Sequence, residues 1–272
     1  ASLGFDYTIN KYNSVGISGD YYYRKLTKND VQQKFTYNEQ YAVIDNYNRY
    51  RYDPEWEKQT SVAAFAEHKF KKEDHELRLE FNHNRSDEVE ANRYWNVYYL
   101  PAKPVEYDNT RIRQLDNENQ LTLDYTLPIN ESSKLEAGYD GSFNTKDLNF
   151  YGEYYDTAQK IFIRDIVKTN LFLYKESIQA VYVTYEKAFE AFGFSAGVRA
   201  EQVNIKGRLV TIDSLINNNY FKLYPTLHLS YEFNDDNELQ LNYSRRINRP
   251  DPDELNPFPE YRDPRNLSAG NP

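Results

Sequence analysis

Apolar and polar residues alternate with a period of two along most of this chain, and that period predicts strands. Leu3, Phe5 and Tyr7 share a face opposite Asp6 and Thr8, and after a polar turn at 10–14 the pattern resumes at Val15, Ile17 and Tyr21. Trp56, Thr60, Val62, Ala64 and Ala66 mark the next strand, and Leu77, Leu79 and Phe81 alternate with Arg78, Glu80 and Asn82 on the way back. The cycle returns with Leu121, Leu123, Tyr125 and Leu127, then with Leu135, Ala137, Tyr139 and Phe143. Ile178, Ala180 and Tyr182 are the expected apolar face of a further strand, answered by Phe192, Phe194, Ala196 and Val198. Phe221, Leu223, Leu227, Leu229, Tyr231 and Phe233 precede Leu239, Leu241 and Tyr243. The result is ten strands in five hairpins, with short turns near 12, 72, 131, 189 and 236. The polar stretches 25–54, 85–114 and 145–176 are expected to be long loops, the first without helical period and with ends that extend the strands, and 203–219 a shorter one. Short turns at one end and long loops at the other predict an all-β, antiparallel, up-and-down transmembrane β-barrel, with periplasmic turns and extracellular loops. A soluble antiparallel sheet with one wet face shows the same alternation.

Composition narrows this choice. Among 272 residues, 27 are Tyr and 2 are Trp, a density that suits β-structure and surfaces where an apolar ring ends in a wet hydroxyl. The mean hydropathy of −0.90 favours a soluble protein, but polar loops and a polar lumen lower the mean of a barrel in the same way. No apolar run approaches the roughly 18 residues of a membrane-crossing helix; Val62–Ala66 is the purest short one. A net charge of −9 leaves no basic stripe for nucleic acid. The absence of cysteine excludes disulfides, thiolate metal sites and cysteine nucleophiles.

The end of the chain carries the most specific signal. Tyr243-Ser-Arg-Arg-Ile-Asn-Arg-Pro250 is followed by Leu255-Asn-Pro-Phe258 and Gly270-Asn-Pro272. Proline has no N–H for a ladder, so strand pairing should stop near Arg249. Residues 1–249 are thus expected to supply barrel strands, and 250–272 a proline-rich extracellular or lumenal segment of the same domain. Arg245, Arg246, Asn248, Arg249, Pro250, Leu255, Asn256, Pro257, Gly270, Asn271 and Pro272 resemble a motif of the outer-membrane β-barrel domain of Bacteroidetes-type TonB-dependent receptors. The likeness is strong over about the last 80 residues and one of style before them. It implies a barrel of roughly 22 strands with a plugged lumen, of which this chain is a piece. It further implies outer-membrane lipid, a plug domain, the remaining barrel strands and TonB as partners, and leaves room for a surface lipoprotein or other envelope chain.

For chemistry, the sharpest candidates are ring-rich stretches beside amides and arginines. Tyr94, Trp95, Tyr98, Tyr99, Tyr154 and Tyr155 are expected to bind substrate, with Tyr47, Tyr50, Tyr52 and Tyr151 near them, or else to form an interfacial girdle. Arg245, Arg246 and Arg249 are expected to pair with Asp251, Asp253 and Glu254 nearby. His68, His75, His83 and His228 stand singly, and Asp116-Asn-Glu118 and Asp235-Asp236 lack calcium-loop order, so no metal is expected. No catalytic residue and no cofactor is expected, because no activated nucleophile or phosphate loop is present. The function implied by the resemblance is energised uptake of a large or scarce nutrient, a glycan, peptide or metal chelate; the alternative is a barrel that serves as a binding or assembly scaffold.

Overall fold

The computed structural model describes residues 1–272 except 235, 253, 259, 264, 265, 271 and 272, with the side chains of 260–263 and 266–268 also left out. The strands are β1 (Ser2–Asn10), β2 (Asn13–Tyr37), β3 (Val43–Lys69), β4 (Glu76–Leu100), β5 (Glu106–Asn130), β6 (Ser133–Asp156), β7 (Ile161–Arg164), β8 (Asn170–Ala188), β9 (Phe192–Leu209), β10 (Ser214–Asn234) and β11 (Asn237–Ser244), then β12 (Glu260–Asp263) and β13 (Asn266–Ser268). Ten of them form one antiparallel sheet in chain order, β1 to β6 and then β8 to β11; β7 adds to the far end of β6, and β12 pairs with β13 separately. The sheet is not closed, and β1 and β11 are its edges.

The five expected hairpins are present, and three of their turns share one device. Asn10 Oδ1 accepts from the Tyr12 N–H and from Asn13 Nδ2, both at 2.9 Å. Asn130 Oδ1 accepts from the Ser132 N–H at 3.0 Å and from Ser133 Oγ at 2.9 Å. Asn234 does the same with the Asp236 N–H (3.1 Å) and Asn237 Nδ2 (2.8 Å). An asparagine that bonds backbone two residues on closes the turn itself, which permits a two-residue reversal without glycine.

The expected long loops are not loops. Stretches 25–54 and 85–114 are mostly strand, so β2 to β6 run for 24 to 27 residues and their connections shrink to 38–42 and 101–105. The stretch 145–176 belongs largely to β6, β7 and β8, and within 203–219 only 210–213 lie outside a strand. A bilayer needs about 9–11 strand residues, so these strands rise far beyond it. Above the membrane neither face meets lipid, and the alternation of an apolar outer face with a polar inner one disappears although the ladder continues. The asymmetry between the two ends is therefore one of strand length.

Register assigns the faces. Leu79, Leu123 and Tyr139 lie in one row across β4, β5 and β6, and Phe81 and Leu121 in the next, all pointing away from Glu80, Thr122 and Asp140. The polar face is concave, because its side chains bond across an intervening strand: Arg199 on β9 reaches Asp140 on β6 at 3.0 Å, and Tyr182 on β8 donates to Asp124 on β5. The apolar face is convex and open, with Leu3, Phe5, Ile17, Leu79, Phe81, Val181, Leu239 and Leu241 among its exposed members. On β8 the expected face is reversed. Ala180, which is buried, and Tyr182 lie on the concave side opposite Glu201 and Arg199, while Val181, Val183 and Tyr185 face outward. Both faces of this strand carry apolar atoms, so periodicity alone could not choose; the Tyr182 hydroxyl, which seeks a carboxylate, decides. Its ring crosses Gly138, where an added Cβ would strike the ring and the Leu123 carbonyl. Gly138→Ala should cost about 1–3 kcal/mol by overpacking, read as a lowered guanidinium midpoint at unchanged slope.

The polar face becomes apolar in one place. Leu148, Phe172, Tyr174, Val203, Ile205, Leu209 and Ile216 form a buried cluster there, and Leu255 of the proline-rich segment completes it. Phe258 packs on Phe150 with ring centroids 6.3 Å apart. β11 ends at Ser244, with the Arg245 N–H still bonded to the Pro225 carbonyl, and the segment beyond it lies against the concave wall. Among the described residues Arg249 pairs with neither Asp251 nor Glu254. It meets Glu201 on β9 and donates from Nε to the Tyr220 hydroxyl at 3.3 Å. Asn256 is buried, its carbonyl accepts from the Gly270 N–H at 2.8 Å, and a Cβ on Gly270 would collide with the Glu254 carbonyl oxygen. Asn271 and Pro272 lie outside the described residues, as does Asp253.

Candidate functional site

Beyond the apolar belt, register again decides which groups meet. On the concave face Arg51, Tyr94, Asp108 and Tyr154 stand side by side on β3 to β6; Arg49, Asn96 and Glu106 form the next row, and Tyr47 and Tyr98 the one after. Arg49 holds the group together. Its Nη1 and Nη2 donate to the two Asp108 oxygens at 2.8 and 2.7 Å, and Nη1 donates to Asn96 Oδ1 at 3.0 Å. The guanidinium lies 3.9 Å from the centre of the Tyr94 ring. A planar fork is suited to a carboxylate and a ring face at once, as a lysine is not. Tyr98 packs on Tyr47 (4.9 Å between centroids), carries Lys103 Nζ 3.7 Å over its ring and donates to Glu106.

The electrostatics follow from burial. Burial raises the Tyr94 hydroxyl pKa, a shift that the Arg49 and Arg51 charges only partly offset. Burial and then the Glu106 bond raise that of Tyr98 as well. Glu106 is shifted the other way: burial opposes its charge, but the bonds from Tyr98 and Lys103 outweigh it and hold the carboxyl below its ordinary range. Both rings therefore remain protonated, and the wall presents neutral hydroxyls, an amide and flat faces beside two ion pairs, Arg49 with Asp108 and Lys103 with Glu106.

Of the six residues expected to bind substrate, Tyr94, Tyr98 and Tyr154 share this face. Trp95, Tyr99 and Tyr155 do not, because successive strand residues point to opposite sides. Trp95 stacks in parallel on Tyr50 at 5.2 Å, Tyr99 accepts from Asn48 Nδ2 at 3.3 Å, and Tyr155 sits edge-on to Phe162 at 5.3 Å. Sequence reasoning missed Arg49, Asn96, Glu106 and Asp108. Counting outward from the turn at 70–75 would have paired Arg49 with Asn96, had the strands been carried past the belt. The histidines each meet a polar group across a strand pair: His68 with Asn13, His83 with Asn119 and His228 with Asn242 at 2.8 Å, and His75 with the Tyr125 hydroxyl at 3.0 Å.

Closer to the belt on the same face, Glu55 stands directly opposite Glu90, and Glu57 opposite Glu88. Arg24 bridges Glu55 at 2.6 Å and Glu57 at 2.9 Å and lies 3.7 Å from Glu88, while Lys28 pairs with Glu55. Nothing in linear spacing predicts this group, since its members come from three strands.

An antiparallel sheet of over-long strands, apolar and exposed on its convex side, polar and cross-linked on its concave side, defines the wall of a transmembrane β-barrel. The chain belongs to the outer membrane protein beta-barrel family, whose sequence profile matches residues 68–272. It is accordingly an outer-membrane β-barrel protein of a Gram-negative cell. Among solved structures it is similar to the ferric citrate transporter FecA in its unliganded form, at 8% identity and a TM-score of 0.36. It is also similar to the ferric yersiniabactin uptake receptor FyuA from Yersinia pestis, at 8% identity and a TM-score of 0.34. Each alignment covers 86% of this chain and 42% of the other, so the chain spans well under half the length of either protein. No curated protein matches the chain.

Proposed function

We propose that this chain forms part of the wall of a TonB-dependent outer-membrane transporter that takes up a glycan, peptide or metal chelate and carries out no catalysis. The observation that carries the reading is the concave group around Arg49, where Tyr47, Tyr94 and Tyr98 offer ring faces beside Asn96, Asp108 and Glu106. Flat rings with fixed polar groups suit a ligand that stacks and hydrogen-bonds. The motif from Tyr243 to Pro272, which resembles one of TonB-dependent receptors, supports energised uptake over a passive pore. In this reading the remaining strands and a plug complete the lumen, and TonB acts through the plug side.

Growth on panels of glycans, peptides and iron chelates tests this, comparing a strain lacking the gene with its parent and with a tonB-deficient strain. The proposal expects loss of growth on one nutrient class in both mutants. Growth on every panel without the gene favours an assembly scaffold. Arg49→Ala should then reduce ligand affinity by about tenfold or more through loss of a charge-assisted bidentate pair, with barrel yield unchanged; equal affinity would remove this group from the binding site.

A further inference from the structure

The acidic group on the concave face is not neutralised by its own chain. Like charges directly opposite one another in a strand pair repel, and here two such pairs are consecutive, Glu55 with Glu90 and Glu57 with Glu88. Arg24 and Lys28 are the cations that contact them. Carboxylate oxygens of Glu55, Glu88 and Glu90 all come within 4.8 Å of one another.

A second observation stands beside this one. Asp53, two residues from Glu55 on the same face, has a side chain with no exposure; no side chain hydrogen-bonds to its oxygens, and the Ala91 N–H is the backbone donor beside it. The Arg51 guanidinium is 3.9 Å away and is committed to Asp30, to which its Nε donates at 2.7 Å. Burial and then the Glu90 charge raise the Asp53 pKa, which places Asp53 within the field of the group. Asn92 is buried next to it; its Nδ2 donates to Glu90 at 3.2 Å, while its Oδ1 has no donor. The pairing of β3 with β4 skips Asp53 and Pro54, since proline has no N–H to give. Five carboxylates thus face three cations, of which Arg51 is already committed to Asp30, and the buried Asn92 holds an oxygen without a donor.

We propose that these residues form a calcium site on the inner wall, with Glu55, Glu88 and Glu90 as carboxylate ligands and Asp53 and the Asn92 carbonyl oxygen completing the shell. A hard divalent cation is the ligand that oxygen donors alone can satisfy. Calcium accepts six to eight oxygens in irregular geometry, whereas magnesium demands a near-ideal octahedron that two strands of a sheet do not provide. The site joins β3 to β4 at the level where the strands leave the Trp56 end of the belt, so an ion there stiffens the base of the extended wall. It does not depend on what the barrel transports.

Titration of calcium chloride into purified, chelator-treated full-length protein in detergent tests this, with magnesium chloride as the control. Saturable binding of one calcium ion is expected, with magnesium at least tenfold weaker, and Glu90→Gln should weaken calcium binding at least tenfold. In chelator, Glu90→Gln and Asp53→Asn should melt at or above the wild-type temperature, because each removes a repelled charge, and their melting should respond less to added calcium. Absence of saturable calcium binding to the wild type overturns the proposal, as does wild-type affinity in Glu90→Gln. A Glu90→Gln protein that fails to fold in chelator also overturns it, since the premise is that this charge is destabilising without an ion.

Discussion

Arginine in place of Leu123 should lower the stability of the folded barrel by about 2–4 kcal/mol, the cost of a cationic side chain on the lipid face near the midplane. Leu123 lies in the centre of the convex belt, flanked by Leu79 and Tyr139. Its chain neighbour Thr122 points inward between Glu80 and Asp140, with its Oγ1 buried and unpaired. Thr122→Arg should cost clearly less, because the new charge lies on the polar face between Glu80 and Asp140, where it can share the carboxylates that Arg78 and Arg199 hold. Guanidinium unfolding of protein reconstituted in lipid would show the difference. Equal costs for the two arginines would remove lipid from the convex face.

The second large effect is expected far from the belt. Leu255→Ala should cost roughly 2–5 kcal/mol, the range for opening a cavity at a buried leucine, because Leu255 seals a cluster that includes Phe172, Val203 and Leu209, each with no exposure. The loss should fall on the docking of the proline-rich segment. Limited proteolysis should cut between 245 and 270 in the variant while the strands stay intact, and Ile247→Ala, at an exposed position, should behave like the wild type. Wild-type resistance in Leu255→Ala would mean that the contacts of Arg249 with Glu201 and Tyr220 and of Phe258 with Phe150 hold the segment without it.

What was legible in the sequence follows the membrane. Inside the belt one face meets lipid and the other polar groups, so the period of two is written in hydrophobicity, and nine of the ten long strands show their outward face directly. β8 is the exception, because Ala180 and Tyr182 face inward among charged groups while Val181 and Val183 face out. Above the belt neither face of β3 meets lipid, and Tyr47, Arg49 and Arg51 look like a loop although they form an unbroken ladder with β2. The site rings were therefore found as a composition, without their sides. The charged partners Arg49 and Asp108, 59 residues apart, required register to bring them together. The Arg249 pairing escaped for the same reason: three carboxylates near it in sequence offered a simple answer, and the actual partner lies 48 residues away. The motif from Tyr243 onward pointed to the family because it is a string of specific residues, which does not depend on reading a period.

The central claim is that this sheet is a membrane wall with lipid on its Leu, Phe, Val and Tyr side. The chain has no cysteine, so single cysteines can be placed one at a time along β5 and β8 and spin-labelled in reconstituted bilayers. Collision with oxygen, which concentrates in lipid, should peak at Leu121, Leu123, Leu127, Val181, Val183 and Tyr185. Collision with a water-soluble nickel chelate should peak at the alternate positions Thr122, Asp124, Thr126, Ala180, Tyr182 and Thr184. The same scan at Asn109 and Arg111 should show no oxygen maximum, since those residues lie above the bilayer. Oxygen accessibility without a period of two along β5, or maxima at Ala180 and Tyr182, would contradict the account.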